Sequence, residues 1–362
     1  MCAATAPNPG EIELSLFGPG YGECVLIHVP EGNWIIVDSC IDSASKNPAA
    51  LEYLESIGVD PSVSVKLVVA THWHDDHIRG LSKVVEACKQ ADLCFSSSLH
   101  NKEFIQLSET VSGRSFLTGT SGIDEFHHSL LKILSREKTP IFAGEGSLIW
   151  RNPHCQVHAL SPSHYSRLQV MLSYRDLLPK RLEPKKALVS KIPNINHIAV
   201  VLLIEIGDFS ILLGSDLEET KEPRTGWAAI VSSTTRPQGK AAIFKIPHHG
   251  SETAHSEDVW NKMLEKNPLA LCTPYNRKVI LPGKSDVQRI YRYTDNAHIT
   301  STIKERKLAS KSDSTVEKTI RESGINFRSS TFTTGHVRCR YNGTVLSVDH
   351  FNGAAPLRNH TA

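Results

Sequence analysis

Long apolar runs are missing from this chain. No stretch approaches the ~18 residues that a helix needs to cross a bilayer, which excludes a membrane span. Met1–Gly10 has neither the basic start nor the apolar core of a secretory signal. The eight cysteines are scattered and include no Cys-x-x-Cys pair, so neither a zinc knuckle nor a disulfide framework is expected. These absences predict a soluble cytoplasmic protein with reduced, mostly buried thiols. Net charge is also low, +2 over 362 residues. Hydrophobic residues make up 40% of the chain, enough for one large domain or a domain with an appendage.

The charge is unevenly spread. Ser161 to Ile192 holds seven Lys or Arg against two acids, and Arg277 to Arg340 holds fourteen against six. The rest of the chain is therefore acidic. Such clusters are either solvated surface or a field that draws in an anionic substrate, and composition leaves both open.

The chain's most informative stretch is Thr71-His72-Trp73-His74-Asp75-Asp76-His77. It follows an apolar run, Val65 to Ala70, and precedes an amphipathic pattern from Ile78 to Gln90. A buried strand thus leads into a polar loop from which a helix departs. Imidazole and carboxylate are suitable ligands for zinc and its divalent neighbours. His72 and His74 lie two apart, so in an extended segment both rings point to one side. A turn at Asp76 and His77 would aim that pair at a second ion. A solvated, His-rich loop is the bland alternative, and the strand-loop-helix setting argues against it.

Other acids and histidines also stand where apolar strands end. Glu11–Phe17, Cys24–Val29 and Trp34–Val37 read as strands, the last running into Asp38. Ile198–Ile206 and Phe209–Leu213 form a hairpin around Gly207-Asp208, and the second strand exits through Gly214-Ser215-Asp216. Ala241–Ile246 runs into Pro247-His248-His249-Gly250-Ser251. Asp38 and Asp216 have the alternative reading of helix-capping residues. Tyr165–Lys191, broken by Pro179 and Pro184, has no clear period and reads as a lid or flap. His255–Lys266 reads as a helix, Lys304–Lys318 as a polar loop, and Gly335–His350 as a hairpin turning at Asn342-Gly343.

The His-x-His-x-Asp-His pattern in this setting resembles the metallo-β-lactamase superfamily, most of whose members are two-metal hydrolases. The stretches GPGYGECVLIHVPEGNWIIVDSC and His248-His249-Gly250-Ser251 resemble, more narrowly, the soluble metallo-hydrolase domain of the ComEC/Rec2 competence proteins. The resemblance covers about Glu11 to Thr302. It implies an α/β fold, an αββα four-layer sandwich of the metallo-β-lactamase type, spanning residues 1–302 with a basic insert near 161–192. Residues 303–362 would be a basic extension whose terminal hairpin packs on the same domain.

The resemblance also implies a site. His72, His74, Asp76, His77, Asp216 and His248 would bind two divalent ions, Zn²⁺ or Mn²⁺, with Asp216 bridging them and Asp38 bracing the loop by hydrogen bonds. The usual Gly-His-Thr-x-Gly turn is absent. Asn196 matches an Asn of ComEC-like domains, and His197 beside it is a candidate ligand. Asp76, Asp216 and His249 would take part in catalysis, although His248 and His249 could exchange roles. Two close ions lower the pKa of a shared water, and the resulting hydroxide attacks an electrophile. The leading expectation is a phosphodiesterase or nuclease with DNA or RNA as substrate. A place in antiphage defence would follow by analogy alone. Two rivals stay open: a hydrolase of a small ester, thioester, lactone or phosphoester, and a metal-stabilised regulatory subunit without catalysis.

Overall fold

Runs such as Val65–Ala70 and Leu202–Ile206 are apolar on both faces, and such strands must be covered from both sides. The computed structural model covers them in this way. It describes residues 5–18, 22–99, 121–177, 194–276, 279–302 and 334–360. The early strands are β1 (Ile12–Gly18), β2 (Cys24–Val29), β3 (Asn33–Val37), β4 (Val65–Ala70), β5 (Asp92–Ser96) and β6 (Ile141–Ala143). Next come β7 (Ser147–Arg151), β8 (Cys155–Ala159), β9 (Leu202–Ile206), β10 (Phe209–Leu213), β11 (Ala241–Lys245) and β12 (Leu264–Cys272). A small ribbon, β13 (Tyr275–Asn276) with β14 (Ile280–Leu281), precedes β15 (Ala297–Ile299). The last strands are β16 (Gly335–Tyr341), β17 (Leu346–Phe351) and β18 (Ala355–Pro356).

Two eight-stranded sheets result. The first has the order β17-β16-β1-β2-β3-β4-β5-β6, the second β18-β15-β12-β11-β10-β9-β8-β7. Side-chain alternation fills three apolar layers. Val69 of β4 points between the sheets with Ile35, Ile204, Ile211 and Leu271. Val68 points outward, under helices Ala49–Ser56, Leu81–Ala87 and Ser121–Leu134, with Tyr53, Val84 and Phe126. Leu212 and Phe244 of the second sheet pack under helices Gly226–Ser232, Glu257–Lys262 and Lys284–Ile290, against Trp227, Trp260 and Ile290. The architecture is therefore the αββα four-layer sandwich of the metallo-β-lactamase type.

Several expected boundaries move. The helix expected over Ile78–Gln90 is split: one turn, Asp75–Ile78, ends at left-handed Gly80 (φ 83), and Leu81–Ala87 follows. The helix expected over His255–Lys266 covers only Glu257–Lys262, because β12 already begins at Leu264. Ile198–Val201 is buried chain outside β9. His164–Leu177 is helical where no period was recognised, while the rest of the expected flap, 178–191, lies outside the described residues. Residues 19–21 of the Gly-rich turn and the loop expected over Lys304–Lys318 lie outside them too. The C-terminal hairpin extends the first sheet: β16 pairs antiparallel with β1 along seven residues, Ile12 facing Tyr341. Its turn is held by Asn342, whose Oδ1 accepts from the backbone of Thr344 and Val345.

β3, β4, β5 and β6 run parallel, as do β10, β11, β12 and β15. Their C-terminal ends open at one edge, where ligands gather in open parallel sheets. The two sheets are stitched together there. Val200 N donates to Thr71 O (3.1 Å), Ser96 Oγ to Ile198 O (2.8 Å) and Ser215 Oγ to Thr71 Oγ1 (2.7 Å).

Candidate metal centre

Four strand ends deliver the expected residues to this edge. β3 runs into Asp38, β4 into the His72–His77 loop, β10 into Asp216, and β11 into the twin histidines. The exits are sharp. Asp38, Ser215, His248 and His249 all adopt left-handed backbone, with φ of 62, 47, 45 and 54°. Non-glycine residues in this region carry strain of order 1–3 kcal/mol each, and such strain clusters at functional sites.

Among the described residues, two groups of ligand-type atoms meet here. His72, His74 and Asp216 form one, and Asp76, His77, Asp216 and His249 form the other. Within each group the donor atoms lie within 4.8 Å of one another, and Asp216 belongs to both. Asp216 Oδ1 lies 3.2 Å from His77 Nε2, while its Oδ2 lies 3.9 Å from His249 Nε2. Asp76 Oδ2 is 3.5 Å from the same His249 nitrogen.

Three of the rings, those of His77, His249 and His72, are tethered through Nδ1. His77 Nδ1 donates to Asp38 Oδ2 at 2.7 Å. His249 Nδ1 faces Thr273 O and Oγ1, both at 3.1 Å, and His72 Nδ1 faces Thr71 Oγ1 at 3.0 Å. Asp38 also accepts from Thr71 N and Thr71 Oγ1, each at 2.8 Å, which ties the start of the loop to β3. Such tethers set the tautomer of a metal-binding histidine.

The residues fit a divalent ion. His77 Nε2, His249 Nε2 and Asp216 Oδ1 are buried and make no hydrogen bond, although they face one another. Buried polar atoms without partners are rare and call for an explanation such as an ion. The protonation states agree. Burial, with His77 and His74 nearby, pushes His72 well down, and burial also lowers His74. Burial opposes ionisation of Asp76 and Asp216, but contacts with His249 and His77 outweigh it and hold both carboxyls below the usual range. Neutral imidazoles and ionised carboxylates are the forms that ligate. His77 shifts the other way: burial lowers its pKa, and Asp216, Glu23 and Asp38 more than reverse that.

The structure brings some of the expected residues into the donor groups and leaves others outside them. His249, expected beside the substrate, is the twin that joins the donor group. Two successive left-handed residues turn its ring inward. His248, expected as a ligand, is turned aside: its Nδ1 lies 3.0 Å from Glu218 Oε1 and its Nε2 lies 3.4 Å from Asn196 Nδ2. His197, the other candidate ligand, stays outside both groups. The 3-10 turn Ile195–Ile198 buries Asn196 and Ile198 and leaves the His197 side chain 41% exposed, 3.6 Å from Glu218 Oε2.

The sequence of residues 17–103 matches the family model described as Metallo-beta-lactamase superfamily. That span contains Asp38 and the whole His72–His77 loop.

The early part of the chain, including that loop, is thus similar in sequence to the metallo-beta-lactamase superfamily.

Similar solved structures include a mutant metallo-beta-lactamase with the HARLDQ motif from Cronobacter sakazakii: 15% identity, TM-score 0.34, covering 66% of this chain and 77% of that one. The metallo-beta-lactamase fold protein YhfI from Bacillus subtilis has 11% identity and a TM-score of 0.34, with 64% and 70% covered. The hydrolase AbOPH of the beta lactamase superfamily has 12% identity and a TM-score of 0.35, with 58% and 72% covered. No curated protein matches the sequence. The structure thus combines the metallo-β-lactamase fold with a buried His/Asp cluster consistent with a metal site. Among the described residues no helix is long and apolar enough to cross a membrane.

Sequence reasoning passed over Glu23 and Lys245. Both are buried and ion-paired with each other behind the donor groups. The available signal was a charged residue inside the apolar run Ala-Ala-Ile-Phe-Lys-Ile. Buried lysines are rare unless paired.

Proposed function

We propose that this chain is a two-metal phosphodiesterase of the ComEC/Rec2-like kind, acting on DNA or RNA. The observation that carries the two-ion reading is the membership of Asp216 in both donor groups. His72, His74 and Asp216 would hold one ion; Asp76, His77, His249 and Asp216 the other. When bound, such ions supply Lewis acidity that lowers the pKa of a water and offsets charge on the attacked group.

The remaining roles belong to the chain. Asp38, Thr71 and Thr273 orient the ligand rings. His248, held through Nδ1 by Glu218 and only 21% exposed in its side chain, stands beside the cluster where it meets the substrate's flank. From there Glu218 leads to His197 and Asn194 and so to a cleft of about 460 Å³. Tyr165, Gln169, Thr220 and Lys221 line its walls. The basic residues concentrated in two segments favour a polyanion and predict steep salt dependence of binding.

The test is a substrate screen with chelator-stripped protein reloaded with Zn²⁺ or Mn²⁺. Bis(p-nitrophenyl) phosphate, plasmid, single-stranded DNA and RNA are offered beside thioester and lactone substrates. Phosphodiester cleavage that disappears in Asp216→Ala is the expected result. Turnover of esters alone transfers the assignment to the small-substrate rival. Inertness toward every substrate with two ions bound favours a non-catalytic role.

A further inference from the structure

Behind the donor groups, Glu23, Asp38 and His77 form a third constellation of ligand-type atoms within 4.8 Å of one another. The protein supplies its own cation there. Lys245 is 1% exposed, and its ammonium is ion-paired with Glu23 Oε1. It also donates to the backbone oxygen of Ser215 at 3.0 Å.

This one pair touches the supports of three donors. Ser215 is the left-handed residue immediately before Asp216, and its oxygen also accepts from His248 N at 2.9 Å. Glu23 Oε2 accepts from Thr273 Oγ1 at 2.6 Å, and Thr273 in turn holds His249 Nδ1. Glu23 Oε1 lies 3.7 Å from His77 Nδ1, on the side opposite the donor group. A buried ion pair contributes little stability relative to apolar residues of similar size, so stability alone does not account for it. Position does. Four carboxylates, Glu23, Asp38, Asp76 and Asp216, crowd this buried edge, and among the described residues Lys245 is the one lysine or arginine that is ion-paired there.

We infer that Lys245 is a positioning residue for the metal centre. Its ammonium acts as a fixed cation behind the two ion positions and pins Ser215 and Glu23, so that Asp216, His77 and His249 present their free atoms together. The inference rests on the two-ion reading above. It adds that the ions' affinity and geometry depend on a residue that touches neither ion.

The test uses the full chain, stripped by chelator and titrated with Co²⁺ and Zn²⁺. Visible absorption of Co²⁺ reports coordination geometry, and a chromophoric chelator in competition reports affinity. Lys245→Met and Glu23→Gln should each keep the far-UV circular dichroism of the parent. Each should bind at least one ion about 10–100-fold more weakly and show an altered Co²⁺ spectrum, as loss of an outer-shell support does. Parental affinity and spectrum in a folded Lys245→Met would overturn the inference. If that variant does not fold, Glu23→Gln, which keeps the side chain's shape, decides on the same two readouts. A parent protein that binds no ion sinks the two-ion reading instead, so the two failures are distinguishable.

Discussion

Replacing Asp38 by asparagine probes the ligand scaffold without changing its shape. Oδ1 of Asp38 accepts from Thr71 N, while Oδ2 accepts from both Thr71 Oγ1 and His77 Nδ1. An asparagine must put its NH₂ at one of these positions. Facing Thr71 N–H, it sets donor against donor in a buried site, at a cost of about 1–3 kcal/mol. Facing His77, it is satisfied only if Nδ1 gives up its hydrogen. The Thr71 hydroxyl can turn to accept, so this second placement is cheaper for the fold. It moves the imidazole hydrogen to Nε2, the nitrogen that faces Asp216 and would have to ligate. Asp38→Asn should therefore remain folded but bind the ion held by His77 about 10–100-fold more weakly, or about 1.4–2.7 kcal/mol. Isothermal titration of stripped protein with Zn²⁺, alongside thermal melts in chelator, measures both quantities. Two ions bound with parental affinity would refute the tautomer argument.

Further outcomes follow from the same geometry. His249→Ala should lower the bound metal from two ions to one per chain by elemental analysis, whereas His248→Ala should retain both. The reverse pattern would restore the order expected from sequence. Ile204→Ala, in the fully buried layer between the sheets, should cost about 2–5 kcal/mol in urea unfolding, and a loss below about 1 kcal/mol would contradict the packing described. His336 is stacked between Phe17 and Phe351; burial, with Arg338 and Arg340 nearby, pushes its pKa down to about 3. An unfolded histidine titrates near 6.5, so below that pH the unfolded chain takes a proton that the folded chain refuses. Its contribution to stability is thus fully present above pH ~6.5 and is lost at about 1.4 kcal/mol per pH unit toward pH 3. His336→Phe should lack this component, and equal pH slopes for parent and variant would refute it.

The legible parts of the site were those written within a few residues. His72, His74, Asp76 and His77 share one loop, and the apolar run before them announced the strand that carries it. Asp216 and Asp38 were visible because each follows an alternating or fully apolar strand. The twin histidines were not resolvable in this way. Which of the two points inward depends on two left-handed backbone conformations at His248 and His249, which side-chain chemistry does not announce. His197 stands outside the donor groups for a related reason, since a 3-10 turn rather than a strand carries it. Lys245 and Glu23 are partners far apart in the chain, and nothing local pairs them. The helix His164–Leu177 escaped because Leu168, Met171 and Leu172 are exposed, so its apolar residues do not mark a buried face.

The pairing of β1 with β16 has a temporal consequence. β1 is synthesised well before one of its neighbours, which begins only at Gly335. At roughly 5–20 residues per second, that neighbour arrives on the order of 15–65 s later. Throughout that interval β1 offers a seven-residue row of unpaired backbone groups to whatever it meets. A nascent chain stalled before Gly335, or one clipped there, would carry a sticky β-edge into a crowded solution. The arrival of β16 thus decides whether the first sheet closes upon itself or upon a neighbour.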